Sequence, residues 1–264
     1  LKAYGKLKIR FSTVLNNLTE REKKILEMLS ENSSIAVADL RRVLDVSAVT
    51  IRNDLNSLAE KGAIIRTRGG ALPAFHPSIL DRQKHRTDAK NRIAKRAAEL
   101  IEDGETVMIG AGTTTALIAK FLLGKRDIHI VTNSTLIVPY ARLNPAIHLT
   151  VVGGEFRPST ESLVGPITLK ELEQFHVKTS IVGTDGFSLT TGLTTHLVDG
   201  AEVVKRMAGQ ADRTVLVADS SKYGKEGFVK ILPLTEFDLM ITDNEMGEET
   251  VTDLEANGIQ VMTT

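Results

Sequence analysis

Six β-like runs recur between residues 106 and 243, and each gives way to a polar turn before a different kind of segment begins. The runs are TVMIGAG (106–112), IHIVTNS (128–134), IHLTVVGGEFRP (147–158), TSIVGTDGFS (179–188), RTVLVADSSKYG (213–224) and DLMITD (238–243). They alternate with a helix starting near Thr114 and with LIVPYARL, ITLKELEQF, DGAEVVKRMAGQA and EETVTDLEANG, while a short stretch to Phe237 follows the fifth run. Such alternation admits few packings, because the helices must cover both faces of a mostly parallel sheet. A sheet of this kind also fixes where a ligand goes, at the carboxyl ends of its strands.

That edge is where the unusual residues gather. Gly110-Ala-Gly112-Thr113-Thr114-Thr115 is a glycine loop opening a helix. Free backbone N–H groups, the positive helix end and threonine hydroxyls together make a phosphate cradle. Simple helix capping is the competing account of the same residues. The loop is not a Walker A motif, since no lysine follows its second glycine, and a full Gly-x-Gly-x-x-Gly would need glycine at Thr115. Thr132-Asn133, Gly153-Gly154 with Arg157, Thr184-Asp185-Gly186 and Asp219-Ser-Ser-Lys222 follow the other runs. Arg157 and Lys222 are suited to an anion, and Asp185 and Asn133 to sugar hydroxyls. Turn formation explains each one singly; five in register predict one pocket.

The first third of the chain is of another kind. LTEREKKILEMLS (18–30) puts Ile25, Leu26, Met28 and Leu29 on one stripe, with Thr19 as N-cap ahead of Glu22. SIAVADLRRVLDVS places Val37, Leu40, Val43 and Leu44 on a second apolar face before Asp45-Val46-Ser47 breaks the pattern. Ser47 caps a third helix in which Val49 or Ile51, with Leu55 and Leu58, looks inward, and Gly62 stops it. Two helices joined by about three residues have helix-turn-helix spacing, and the first turn of the second helix of that motif enters the major groove. Here it offers Ser47, Ala48, Thr50, Arg52 and Asn53. Alanine permits close approach; arginine suits guanine and asparagine adenine. AIIRTRGGA then alternates like a strand and returns at Gly69-Gly70, forming a wing with Arg66 and Arg68 near phosphates. A protein-docking three-helix module is the rival.

Charge separates the two regions. Residues 1–86 carry 16 Lys+Arg against 9 Asp+Glu, net +7, and residues 87–264 carry 17 against 24, net −7. A basic head on an acidic body points to a polyanion partner for the head. The chain has no cysteine, so disulfides and thiolate ligands are excluded. Its six histidines are scattered with no His-x-x-x-His pair, and no metal site is expected. The opening LKAYGKLKIRF lacks the apolar core of a signal peptide, and no apolar run approaches the ~20 residues of a membrane span. A cytoplasmic address without membrane contact is expected.

TIRNDLNSLAEKGAIIRTRGGA resembles the winged-helix signature of the DeoR family of bacterial sugar-metabolism regulators, with Asn53 where that family more often has arginine. The body resembles the DeoR sensor domain through GAGTTT, VTNS, VVGGEFRPSTESLVGP, GTDGF, TGLTT and ADSSKYG. The resemblance implies a fold related to ribose-5-phosphate isomerase and a phosphorylated sugar, or a derivative of one, as inducer. It also raises an enzyme as the alternative: a sugar-phosphate isomerase-like protein with a basic N-terminal appendage. Isomerisation needs a carboxylate base. In the isomerases it lies in an Arg-Glu-Lys run whose counterpart here is Val204-Lys205-Arg206-Met207. Glu202, two residues before Val204, points about 160–200° away from that position on a helix, since two residues span ~200°. The isomerase Asp-Gly-Ala-Asp loop is reduced to Thr184-Asp185-Gly186-Phe187.

The expected organisation is a winged helix-turn-helix over 15–72, a connection over 73–87 and an α/β sensor domain over 88–264. Pro73 and Pro77 favour extended backbone in the connection. The expected function is a DNA-binding regulator, a repressor relieved by a phosphorylated sugar or sugar-alcohol, with no catalytic residues and no cofactor. Because one head reads a half-site weakly, a homodimer or homotetramer is expected on double-stranded operator DNA.

Overall fold

The computed structural model describes residues 18–32, 35–67 and 70–264. They fall into two compact units that divide between His85 and Arg86.

In the first unit, α1 (Glu20–Glu31) starts in a capping box, with the Glu22 N–H on Thr19 Oγ1 and the Thr19 N–H on Glu22 Oε2. Helix α2 (Val37–Leu44) ends at Asp45 in the left-handed region, and α3 (Ala48–Glu60) begins after Ser47. Ile25, Leu29, Leu40, Ile51, Leu55 and Leu58 form a fully buried core. Gly62, at φ 71°, ends α3 where a side chain would be strained. Strands β1 (Ile64–Thr67) and β2 (Gly70–Pro73) pair antiparallel as the wing.

Val43, expected in the core, lies outside it, and of the alternatives Val49 and Ile51 it is Ile51 that is buried. Val43 is 55% exposed and Val49 is 63% exposed. At 100° per residue Val49 sits roughly 150° from the Ile51–Leu55–Leu58 stripe, and Val43 about 90° from the centre of the Val37–Leu40–Leu44 stripe. The 73–87 segment also differs from the extended connection expected of it. Pro77 opens α4 (Pro77–Lys84), capped by His76 Nδ1 accepting from the Ser78 N–H, and Leu80 joins the head core. Proline at the first helical position suits a helix, and only the preceding His76 must be extended.

In the second unit, α5 (Thr87–Glu99) precedes β3 (Thr106–Ile109), and a 3-10 turn at Thr115–Leu117 runs into α6 (Ile118–Phe121). Then follow β4 (Ile128–Thr132), α7 (Val138–Ala141), β5 (Ile147–Val151), the hairpin β6 (Glu155–Arg157) and β7 (Ser162–Val164), and α8 (Pro166–Leu172). Next come β8 (Val177–Val182), β9 (Gly186–Ser188), β10 (Gly192–Thr195), α9 (Val198–Ala208) and β11 (Ala211–Val217). The chain closes with β12 (Val229–Lys230), β13 (Leu239–Thr242), α10 (Glu248–Ala256) and β14 (Val261–Thr263).

Seven strands form one sheet in the order β14-β13-β11-β8-β3-β4-β5, every pair parallel. Met108, Val131, Val182, Leu216 and Met240 pack with Leu172, Ala201, Met207 and Leu254 from the helices. The alternate residues Val107, Ile130, Ile181, Val215 and Ile241 are as deeply buried, so both faces are covered. Strands β9, β10 and β12 make a separate antiparallel sheet, in which β9 is the tail of the run TSIVGTDGFS and β10 and β12 come from residues given no element in the sequence. The observed class, a winged helix-turn-helix followed by a mostly parallel α/β domain, is the one expected.

Candidate functional site

Two side-chain networks fix α3 in the head. Arg21 grips Asp54 with Nε–Oδ2 at 2.6 Å and Nη2–Oδ1 at 2.9 Å. Glu22, 2% exposed, accepts from Ser57 Oγ at 2.7 Å and from Lys61 Nζ at 2.6 and 2.8 Å. Burial pushes its carboxyl up, but the bonds from Lys61, Ser57 and the Thr19 N–H, with the Lys61 charge, outweigh that and hold it below the usual range. Buried carboxylates without such partners are costly, so these pairs set the orientation of α3 against α1.

The opposite face of α3 is open. Arg52, Asn53 and Asn56 are exposed beside Val49, and Arg52 and Asn53 have no side-chain partner among the described residues. Ser47 Oγ accepts from the Thr50 N–H and lies 2.8 Å from Thr50 Oγ1, so both hydroxyls serve the cap, with Ala48 beside them half-buried. Arg66 is exposed on β1, and Arg68 lies outside the described residues. Val49 and Asn56 were missed in the sequence. An exposed valine in the first turn of such a helix can meet a thymine methyl group.

In the body the strand order reverses between β3 and β8: from β3 the chain builds outward to β4 and β5, then returns to the other side of β3 with β8. The crevice outside such a reversal is where open α/β sheets bind ligands. Gly110 to Thr115 follow β3, and Thr184 to Gly186 follow β8. The two ends touch, with the Gly110 N–H on the Ile181 carbonyl at 2.9 Å and Gly183 against Thr115. The N–H groups of Gly112, Thr113 and Thr114 have no acceptor among the described residues. At Gly112, φ is 157° and a Cβ would fall 2.9 Å from Thr115 Oγ1, so the loop needs glycine there. The three open amides are a donor set for anionic oxygens. Thr115 is fully buried, and its hydroxyl donates back to the Gly112 carbonyl.

The remaining residues divide into those committed to the protein and those left open. Thr132 donates to the Ile109 carbonyl and accepts from the Ser134 N–H. Asn133 accepts from the Ala111 N–H and donates to the Leu163 carbonyl, both at 3.0 Å. Gly154 lets Thr168 and Val164 approach, and Gly186 admits the Lys225 backbone. Thr184 donates to the Gly186 and Thr194 carbonyls. Asp185 Oδ2 accepts from Thr195 Oγ1 and the His196 N–H. Arg157 is paired with Asp199 at 2.8 Å and Glu155 at 3.3 Å. Lys222 is half-exposed at the end of a 3-10 turn after β11, and its ammonium group has no partner among the described residues.

Two further residues belong to this edge and were not singled out in the sequence. Glu161, 9% exposed with φ 49°, takes the Thr135 hydroxyl on its carboxylate; burial pushes the acid up against that bond. Arg86, placed by the sequence reading in the connection, pairs with Asp219 at 3.4 Å, Asp243 at 2.8 Å and Glu245 at 3.0 Å. It thereby fixes the loop that carries Lys222. Where the isomerase base was sought, Lys205 pairs with the exposed Glu202 and Arg206 with Glu173.

Two family models match the chain, one in each region. Residues 21–74 match the model of the DeoR-like helix-turn-helix domain, and residues 85–244 that of the DeoR C-terminal sensor domain. The HTH-type transcriptional repressor GlcR of Bacillus subtilis (strain 168) is 34% identical over 249 residues, 93% of this chain and 96% of that protein. The HTH-type transcriptional regulator GlpR of Haloferax volcanii is 34% identical over 248 residues, 92% and 96% of the two chains. Among solved structures, a D-ribose-5-phosphate isomerase in complex with phospho-erythronic acid aligns over 52% of this chain and 54% of its own, at 20% identity and a TM-score of 0.38. A helix-turn-helix match and a sensor-domain match in the same order, with relatives aligned over nearly their whole length, leave one conclusion: the chain belongs to the DeoR family of DNA-binding transcriptional regulators.

Proposed function

We propose that this regulator represses a carbohydrate-utilisation operon and releases its operator when a phosphorylated sugar or sugar-alcohol occupies the crevice between the ends of β3 and β8. The supporting observation is the loop Gly110–Thr115, whose three open amides sit at the strand-order reversal. The names of GlcR, a repressor, and GlpR, a regulator, accord with this reading. Residues 15–72 read the DNA and residues 88–264 hold the effector. Ser47, Ala48, Thr50, Arg52 and Asn53 face the major groove, with Arg66 and Arg68 on phosphates. Gly110, Gly112, Thr113, Thr114 and Thr115 cradle the phosphate and Lys222 neutralises it. Thr132, Asn133, Gly154, Arg157, Thr184, Asp185 and Gly186 shape the pocket. A homodimer or homotetramer supplies paired heads for a two-fold operator.

Effector binding releases DNA only if it favours the non-binding arrangement. A hundredfold loss of operator affinity requires about 2.7 kcal/mol of differential binding. Thermal unfolding against a panel of sugar phosphates and their unphosphorylated parents tests the sensor. A saturating ester, at ~100 times Kd, adds about 2.7 kcal/mol and raises the melting temperature. Equal shifts from ester and parent, or none across the panel, would remove the phosphate from the proposal. Arg52→Ala is expected to weaken operator binding by ~10–100-fold, one bidentate base or phosphate contact, with the effector's melting shift unchanged. Loss of both would contradict the separation of tasks between the units.

A further inference from the structure

The first strands of the sheet bring together three side chains at the end away from the effector crevice. His129 on β4 and His148 on β5 are direct register partners, so both rings leave the same face of neighbouring parallel strands. The rings stack with centroids 4.5 Å apart and planes within 16°. Asp127, just before β4, holds a left-handed backbone at φ 58°. Its Oδ1 lies 3.6 Å from His129 Nε2 and 3.4 Å from His148 Nε2. One ligand atom from each residue lies within 4.8 Å of the other two, in a group that stands alone among the described residues.

We infer that Asp127, His129 and His148 form a surface site for one divalent transition-metal ion of the zinc type. Metal–ligand bonds of ~2.0–2.2 Å at tetrahedral angles put donor atoms about 3.3–3.6 Å apart, which is the spacing of Oδ1 from both imidazole nitrogens. Two imidazoles and one carboxylate are a donor set for zinc, cobalt, nickel or copper, whereas magnesium and calcium take oxygen. The carboxylate is not spent on the neighbouring cation, because the Arg126 guanidinium is drawn to Asp103. All three side chains are exposed, at 71%, 51% and 60%, so ion and water can enter. The fourth position is left to water. Sequence spacing concealed the site, since the two histidines lie far apart along the chain and meet only through the β4–β5 register. The ion ties β5, an edge strand, to its neighbour.

The test is metal titration of the untagged full-length chain. Zinc is measured in competition with a chromophoric chelator, and cobalt through the intense visible absorption of a tetrahedral site. One equivalent is expected to bind saturably, with magnesium inactive, and the bound ion raises the melting temperature. His129→Ala, His148→Ala and Asp127→Asn each lower the affinity at least tenfold and weaken the cobalt band. The metal-free melting temperature and effector shift stay as in the parent. Asparagine tolerates the left-handed backbone, so Asp127→Asn separates ligand loss from local misfolding. Absence of saturable binding, or parental affinity in His148→Ala, overturns the inference.

Discussion

Arg86→Met is expected to destabilise the second unit by about 3 kcal/mol, which for a domain of this size lowers its melting temperature by roughly 10 °C. Methionine keeps an apolar stem of similar reach, so the loss isolates the charge. Asp219 and Asp243 are 1% and 0% exposed, and Arg86 is the cation they share. Removing one partner of a buried pair leaves the other charged and poorly solvated, at ~3–5 kcal/mol. The low end applies because Arg86 keeps 20% of its exposure and hydrogen bonds from Ser220 remain on Asp243. The pH dependence gives the effect a signature. Burial pushes the Asp243 carboxyl up, but the Ser220 and Glu245 bonds with the Arg86 charge hold it below the usual range. A depressed carboxylate contributes stability that is fully present above its unfolded value of ~3.9 and is lost as pH falls through the folded value. Without Arg86 the depression shrinks. The gap between parent and variant in urea unfolding should therefore be widest at neutral pH and narrow toward pH 4 and below. An equal gap at both ends would assign the loss to packing.

Lys222→Met is expected to weaken the phosphorylated effector by ~30–100-fold, the equivalent of about 2–3 kcal/mol for charged hydrogen bonds to a phosphate. Arg157→Met should cost less than ~5-fold, although the sequence offered both residues equally as anion partners. The difference lies in what each already holds. Arg157 is neutralised by Asp199 and Glu155 and must release them before gripping a ligand. Lys222 gives up only water. Calorimetric titration of the ester found by the thermal panel checks both variants, and a larger loss in Arg157→Met would reverse the assignment. The result rests on the proposed phosphate sensor.

The contrast shows which parts of the site the sequence could carry. Local devices were legible: Thr19 with Glu22, the Asp45–Ser47 turn, and the glycine loop after β3 all act within a few residues. The alternation of strands and helices was legible too, and with it the edge where polar loops converge. Partnership across long separations was not. Arg86 reads as one more cation in a basic stretch until β11 and β13 bring three carboxylates to it. Arg157 reads as a free anion-binder until α9 presents Asp199. Val49 was open to error for another reason, because an apolar residue beside an amphipathic stripe invites inclusion unless its helical angle is counted. The small sheet of β9, β10 and β12 lacked the apolar runs by which strands are recognised.

Asn133 ties two segments together at the end of β4. It is 2% exposed, its oxygen holds the Ala111 N–H and its nitrogen holds the Leu163 carbonyl, while its own carbonyl takes the Leu163 N–H at 2.8 Å. One flat amide thus joins the glycine loop to the β6–β7 hairpin. Pulling the loop away leaves a buried half-amide unmet, at about 1–3 kcal/mol. Loop and hairpin are accordingly held as one piece at the end of β4, and Arg157, on β6, is carried by that piece.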